Sequence, residues 1–476
     1  MGSEASEASG TAGGPVIRRI GAAAAVAVLG LAFAGTSAGA LTPPQVDPAV
    51  PPPAGTAGPV APMSQRSACV SSGVVAGTDP ALANPNQSSL RLSEAWRHSR
   101  GEGQLVAVID TGVTPGPRLP NVEAGGDFVE AADGLTDCDG HGTLVAGLIA
   151  GQPGDDAFSG VAPAARILAI RQTSQHYSPR SPGADPAAAR ATIEVQALAR
   201  AVVRAADAGA RVIAIPTAIC LSSNRTVDQS ALGSALRYAA VDRDAVIIAA
   251  AGDTTTGSGT GATCQSNPLT DPARPADPRN WDGATTMSMP SLWQPYVLSV
   301  GSLSVSGRPS PSTMAGPWVG IAAPGENITS IGNDATRGLA NGLPDNDGEY
   351  APISGTSYAA AYVAGVAALV RSRFPDLTAE QVVDRLTGTA NGAARSPSNL
   401  VGTGRVDPVA ALTWAVPERV EADEADEAAV RPVAAPPPPP EQDPIPRIVA
   451  FAGVGVLASL VLTAVVVRTR RKDPTS

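Results

Sequence analysis

Ile353-Ser354-Gly355-Thr356-Ser357-Tyr358-Ala359-Ala360-Ala361-Tyr362-Val363-Ala364-Gly365-Val366-Ala367-Ala368-Leu369-Val370 is the stretch that decides the fold. A turn of small residues, Ser354 to Ser357, opens onto a segment that is apolar on every face, the mark of a helix buried in a large domain. Ser357 then stands at the N-terminus of that helix. Free backbone N–H groups and the positive end of the helix dipole gather there, and both suit a developing oxyanion. The plainer alternative is that Thr356 or Ser357 only caps the helix. Two other stretches decide between these readings.

In Leu105-Val106-Ala107-Val108-Ile109-Asp110-Thr111-Gly112-Val113, an apolar β-branched run too short for a helix ends in an acid. It reads as a buried parallel strand that presents Asp110 at its carboxyl end. In Asp139-Gly140-His141-Gly142-Thr143-Leu144-Val145-Ala146-Gly147, His141 opens another apolar helix of small residues. An acid at a strand end, a His at a helix start and a Ser at a helix start make a set, and their chain order separates the known arrangements of such triads. The three motifs, in the order Asp, His, Ser, resemble those of the subtilisin-like serine proteases, over roughly Leu90 to Trp414. The resemblance implies a serine endopeptidase in which Asp110 orients His141, His141 is the base and Ser357 the nucleophile. His98, on a short helix around Trp96, and His176, in a polar loop, read as solvated side chains, which leaves His141 as the base among three histidines.

Working outward, strands and helices alternate along the chain. Gly160–Ile170 reads as a turn followed by a strand, and apolar runs at Val212–Ile215, Ala245–Gly252, Tyr296–Gly301 and Trp318–Gly325 read as strands. An amphipathic pattern over Thr192–Gly209 and a second over Ser230–Asp242 read as helices. Gln172 to Ala191 breaks the pattern and reads as an insertion loop. The expected fold is α/β: a subtilisin-like parallel sheet flanked by helices on both faces, plus one C-terminal transmembrane helix. Functional groups then gather at the carboxyl ends of the strands.

The ends of the 476-residue chain are biased in composition. Arg18-Arg19, the apolar run Ile20–Ala34 and the Ala38-x-Ala40 site read as a signal peptide over residues 1–40, with an uncleaved anchor as the alternative. Residues 41–89 form a Pro-rich extension lying across the domain, with a short inhibitory segment as the alternative. The peptidase domain spans 90–416, and an acidic, then polyproline linker spans 417–447. Residues 448–467 are apolar and uncharged over the length of a membrane span, and Arg468, Arg470, Arg471 and Lys472 follow. The positive-inside rule leaves 468–476 in the cytoplasm and the catalytic domain outside the cell membrane.

Of the net charge of −10, half sits between Glu418 and Arg447, where eight acids face three bases, so it marks no acidic binding face. A basic stripe is absent and aromatics are few, which excludes a nucleic-acid partner. No spacing of His, Cys, Asp and Glu suggests a metal, and no cofactor motif is present. Cys69, Cys138, Cys220 and Cys264 allow three pairings in an exported chain.

Taken whole, the signal, Pro-rich extension, four cysteines, Pro-rich linker and single C-terminal span resemble the mycosins, membrane-anchored proteases of type VII secretion systems. That resemblance implies peptide substrates, partner subunits in a secretion membrane complex, and the disulfides Cys69–Cys138 and Cys220–Cys264. The first would clamp the extension beside the His141 loop, and the second would close a loop near the substrate cleft. Two positions depart from the family. Ala361 stands where a Pro is usual, a residue suited to a helix's first turn. Asp253, in Ala250-Ala251-Gly252-Asp253, stands where an oxyanion-binding Asn is usual. An active endopeptidase and a mainly structural subunit with a weak site are both compatible with this sequence.

Overall fold

In the computed structural model, residues 41–416 are described except 182, 256–262, 272, 335–337, 346 and 393–396; beyond them, 455–461, 463, 464 and 467 are described. The chain divides into two units, Met1–Pro417 and Glu418–Ser476. In the second, the described residues are helical with exposed side chains. The expected signal peptide, linker and cytoplasmic tail, with part of the 448–467 span, lie outside the described residues. Among the described residues no helix is long and apolar enough to cross a membrane.

The first unit is built on a nine-stranded sheet. Its main strands are β1 (Leu105–Asp110), β2 (Val122–Asp127), β3 (Arg166–Arg171), β4 (Val212–Ile215), β5 (Val246–Ala250), β6 (Val297–Leu303) and β7 (Val319–Pro324). They lie side by side in the order β7-β6-β5-β4-β1-β3-β2 and are all parallel. Gly404–Arg405 adds a parallel strand beside β7, and Asn391–Gly392 an antiparallel one at the edge.

All six residues of β1 are buried. Strand periodicity divides them between two cores. Val106 and Val108 pack on one side, with Leu144 and Leu148 of α1 (His141–Ala150) and most of α4 (Thr356–Arg373). Leu105, Ala107 and Ile109 pack on the other, with Val195, Leu198 and Val202 of α2 (Pro186–Asp207) and Leu232 and Leu236 of α3 (Ser230–Arg237). A parallel sheet needs such cover on both faces, which is why its strands read as unbroken apolar runs. The chain leaves β1 for β3 and β2 on one side and β4 on the other, so a crevice opens at the carboxyl end of β1. Asp110 is the last residue there.

Several local expectations are corrected. The amphipathic helix begins at Pro186 rather than Thr192, because Asp185 accepts the Ala188 N–H and Pro186 occupies the first turn. The presumed insertion loop therefore contains that helix start, and it also contains the strand Tyr177–Pro179. That strand pairs antiparallel with Met63–Gln65 of the extension. His176 is not a solvated loop residue: its Nδ1 lies 2.8 Å from Ser67 Oγ, and its carbonyl accepts the Arg66 N–H at 2.7 Å. Ala361 is the sixth residue of α4, past the first turn.

The extension is tied to the domain along its length. The Gly58 N–H donates to the Asp127 carbonyl at 2.7 Å and the Val70 N–H to the Cys138 carbonyl at 2.9 Å. Disulfides join Cys69 to Cys138 and Cys220 to Cys264. The first spans 69 residues of chain. Replacing Cys69 and Cys138 together by Ser is expected to lower unfolding stability by about 2–4 kcal/mol. Denaturant titration of the two forms checks this, and limited proteolysis should cut residues 41–68 first in the variant.

Candidate active site

Three elements deliver the three expected side chains. Asp110 ends β1 with no exposed surface, and His141, 1% exposed, is the first residue of α1. His141 Nδ1 lies 2.8 and 2.9 Å from the two Asp110 carboxylate oxygens. His141 Nε2 is buried without a hydrogen-bond partner among the described residues. Ser357, 6% exposed, is the second residue of α4. Tyr358, next to it, sets its ring 5.3 Å from the imidazole. The first turn of α4 therefore stands beside the His141 ring.

Close approach of α1 to β1 depends on Gly142. A Cβ added there would stand 2.0 Å from the Gly112 carbonyl oxygen and 3.2 Å from Asp110 Cβ. This glycine lets the helix start come down onto the end of the strand, which brings Nδ1 within reach of the carboxylate.

Burial acts to lower the His141 pKa. The charge and hydrogen bond of Asp110, with the charges of Asp137 and Asp139, outweigh it and raise the pKa above the ordinary imidazole value. The pair is thus a base whose protonated form is stabilised, with a free nitrogen to receive the proton.

Thr356 and Ser357 were candidates for a simple cap. Instead Gly355 occupies the N-cap without a side-chain bond, and the cap comes from Asp253. The Thr356 N–H lies 3.0 and 3.1 Å from the two carboxylate oxygens of Asp253. The Thr356 hydroxyl donates to Asp253 Oδ2 at 2.9 Å and accepts the Gly252 N–H at 3.1 Å. Burial pushes the Asp253 carboxyl up to about 6; hydrogen bonds from Thr356 and the charge of His141 act against this. Asp253 thus sits one residue from Ser357, largely ionised at neutral pH and already holding the Thr356 N–H, the Thr356 hydroxyl and the Ser312 side chain. The Cys264 N–H donates to the Asp253 carbonyl at 2.8 Å, so the second disulfide closes beside this residue.

Among the described residues, no group of His, Cys, Asp and Glu could hold a metal ion. A model of the subtilase family matches residues 101–404. Mycosin-3 of Mycobacterium tuberculosis is 60% identical over 439 residues, covering 92% of this chain and 95% of its own. The chain belongs to the mycosins, within the subtilase family. It is a subtilisin-like serine protease by family. Among solved structures, the mycosin MycP3 protease from the type VII (ESX-3) secretion system is 66% identical, with a TM-score of 0.76. The match covers 79% of this chain and 100% of that one. A chain in the intact ESX-5 inner membrane complex is 44% identical with a TM-score of 0.77, covering 90% of this mycosin and 100% of itself.

Sequence reading of this mycosin missed Thr111, Asp137, Thr143 and Thr356, which brace the site. Only Asp137 left a trace: an acid four residues before a helix start, in a segment whose own cap position is a glycine.

Proposed function

We propose that this mycosin is an active endopeptidase, held by its C-terminal helix with the peptidase domain outside the cell membrane, working within a type VII secretion membrane complex. The observation that carries the catalytic part is the buried Asp110–His141 pair, with an unpartnered Nε2 beside the first turn of α4. Ser357 Oγ attacks the scissile carbonyl of a peptide. His141 Nε2 takes the hydroxyl proton and returns it to the leaving amine. Asp110 holds the imidazole by Nδ1–H and stabilises its charged form. The N-terminal end of α4 and the Ser357 backbone N–H stabilise the oxyanion. Asp253 stands at the second oxyanion position and makes the enzyme slow.

Labelling of the detergent-solubilised full chain with a fluorophosphonate tests the catalytic part. Peptide mapping should find the adduct on Ser357, and an adduct elsewhere or none at all would sink it. For topology, proteases added to intact cells should reach the domain, and a cytoplasmic signal from a reporter fused after Gly404 would contradict the proposal.

A second reading, a structural subunit whose site is nearly silent, is favoured by the Asp253 carboxylate and by the relative found in an inner membrane complex. Tagged chain should co-purify with integral membrane subunits. If deleting the chain disrupts that complex while Ser357→Ala leaves both complex and secretion intact, the structural reading holds.

A further inference from the structure

We infer that Asp137 is a positioning residue for this reaction: it builds the helix start that carries His141 and ties it to the strand end that carries Asp110. The inference rests on the catalytic reading of Asp110, His141 and Ser357.

The helix α1 has an uncapped beginning. Gly140 occupies its N-cap with φ 77° and offers no side chain to the first-turn N–H groups. Left buried without acceptors, those donors would destabilise the helix start, because each would lose its hydrogen bond to water and gain none in return. Asp137, 5% exposed, supplies the missing acceptor from four residues upstream of His141. Its Oδ2 accepts the Thr143 N–H at 2.8 Å and the Thr143 hydroxyl at 2.7 Å. Its Oδ1 accepts the Gly140 N–H at 2.9 Å and the Asp139 N–H at 3.2 Å.

The same carboxylate reaches the other side of the site. The Thr111 hydroxyl donates to Asp137 Oδ1 at 2.8 Å, and the same hydroxyl oxygen accepts the Gly142 N–H at 2.9 Å. The Thr111 N–H in turn donates to Asp110 Oδ1 at 2.6 Å. One chain of hydrogen bonds therefore runs from Asp110 through Thr111 to Asp137 and back to the first turn of α1. It satisfies the Gly142 and Thr143 donors that flank the catalytic imidazole along the backbone. Asn333 fixes the backbone from outside, its Nδ2 donating to the Asp137 carbonyl at 3.1 Å.

Asp137 also contributes charge. The groups facing His141 are Asp110 from β1, Asp137 and Asp139 from the loop before α1, Asp253 from the segment after β5, and neutral Tyr358 from α4. His176 lies beyond Asp139, its Nε2 3.9 Å from Asp139 Oδ1. Burial pushes the Asp137 carboxyl up to about 6, opposed by its bonds to Thr143 and Thr111 and assisted by the charge of Asp110. Above that pH it adds its negative charge to those of Asp110 and Asp139 in favouring the imidazolium form of His141.

The test uses the full chain in detergent with Asp137→Asn, which keeps shape but replaces an acceptor oxygen by a donor and removes the charge. The expected result is a severalfold to about tenfold fall in kcat with KM changed less than about twofold, as for a small misplacement of the base. The acid limb of kcat/KM should move to lower pH, because removing a nearby negative charge makes imidazolium less favourable. Thr111→Val removes the hydroxyl that joins Asp137 to residue 111 and to the Gly142 N–H, while the backbone N–H still reaches Asp110 and the Asp137 charge stays in place, so kcat should fall without that shift. The His141 pKa, read by NMR in Ser357→Ala chains with Asp or Asn at 137, should fall in the Asn form. This readout needs no turnover, so it separates the role of Asp137 from the triad reading, which wild-type fluorophosphonate labelling tests alone. A folded Asp137→Asn chain with unchanged kcat and an unmoved His141 pKa overturns the inference. Should that variant fail to fold, an unchanged kcat in Thr111→Val overturns it.

Discussion

Replacing Ser357 by Ala is expected to lower kcat by about a millionfold, the loss that follows when the nucleophile of such a unit is removed. Ser357 is the second residue of α4, between Thr356 and Tyr358, and is buried. Ala has the higher helix propensity and adds no atom, so the backbone of the first turn has no cause to move. The cap of α4 comes from Asp253 onto Thr356, leaving Ser357 without a structural task at the helix end. The variant should therefore melt within a degree or two of the parent and keep the Asp110–His141 pair. Hydrolysis of a peptide substrate, followed alongside fluorophosphonate labelling, checks the prediction. A loss smaller than about a hundredfold in the folded variant would assign the nucleophile to another residue.

Asp253→Asn is expected to raise kcat by about tenfold or more at neutral pH, within the range of about 10²–10³ that one oxyanion donor supplies. An ionised carboxylate has no proton to donate, and its charge repels the oxyanion. In the variant, the amide oxygen can keep the Thr356 N–H that Asp253 now holds at 3.0 Å, which frees the amide N–H₂ to donate. The pH dependence follows from two opposed demands. His141 must be neutral to act as base, and its pKa is raised above the usual value. Asp253 must be protonated to donate, which holds only below about 6. The parent should show a low, narrow bell, and the variant a plateau reaching to alkaline pH, so the gain is larger at pH 8 than at pH 5.5.

Stability should follow the same residue. A carboxyl whose folded pKa is raised favours the fold below its unfolded pKa near 4, and that contribution is lost as pH rises through about 6. Asp253→Asn should therefore raise Tm at pH 8 and leave it unchanged at pH 4. Equal turnover in parent and variant, with the Tm gain present, would show that another group supplies the second oxyanion donor.

Hydrophobic period and chain order in this sequence determine the subtilisin-like sheet and helices and the places of Asp110, His141 and Ser357 at one strand end and two helix starts. These signals are local. Leu105 to Asp110 is apolar on both strand faces because both are covered, and His141 to Ala150 and Thr356 to Val370 are apolar all round because both helices are buried. Burial leaves its trace in consecutive residues, so it can be read without coordinates. What braces the site cannot be read in that way. Thr111 meets Asp137 across 26 residues, Asp253 meets Thr356 across 103, and His176 meets Ser67 across 109. Each of these is a polar contact between segments brought together by folding. An acceptor's partner depends on distance and angle to within a few tenths of an ångström, which no pattern of residue types along the chain records. The family's motif implies an oxyanion role for Asp253. Only the tertiary structure decided that its carboxylate is spent on the cap of the Ser357 helix, and that Asp137 caps the helix of His141.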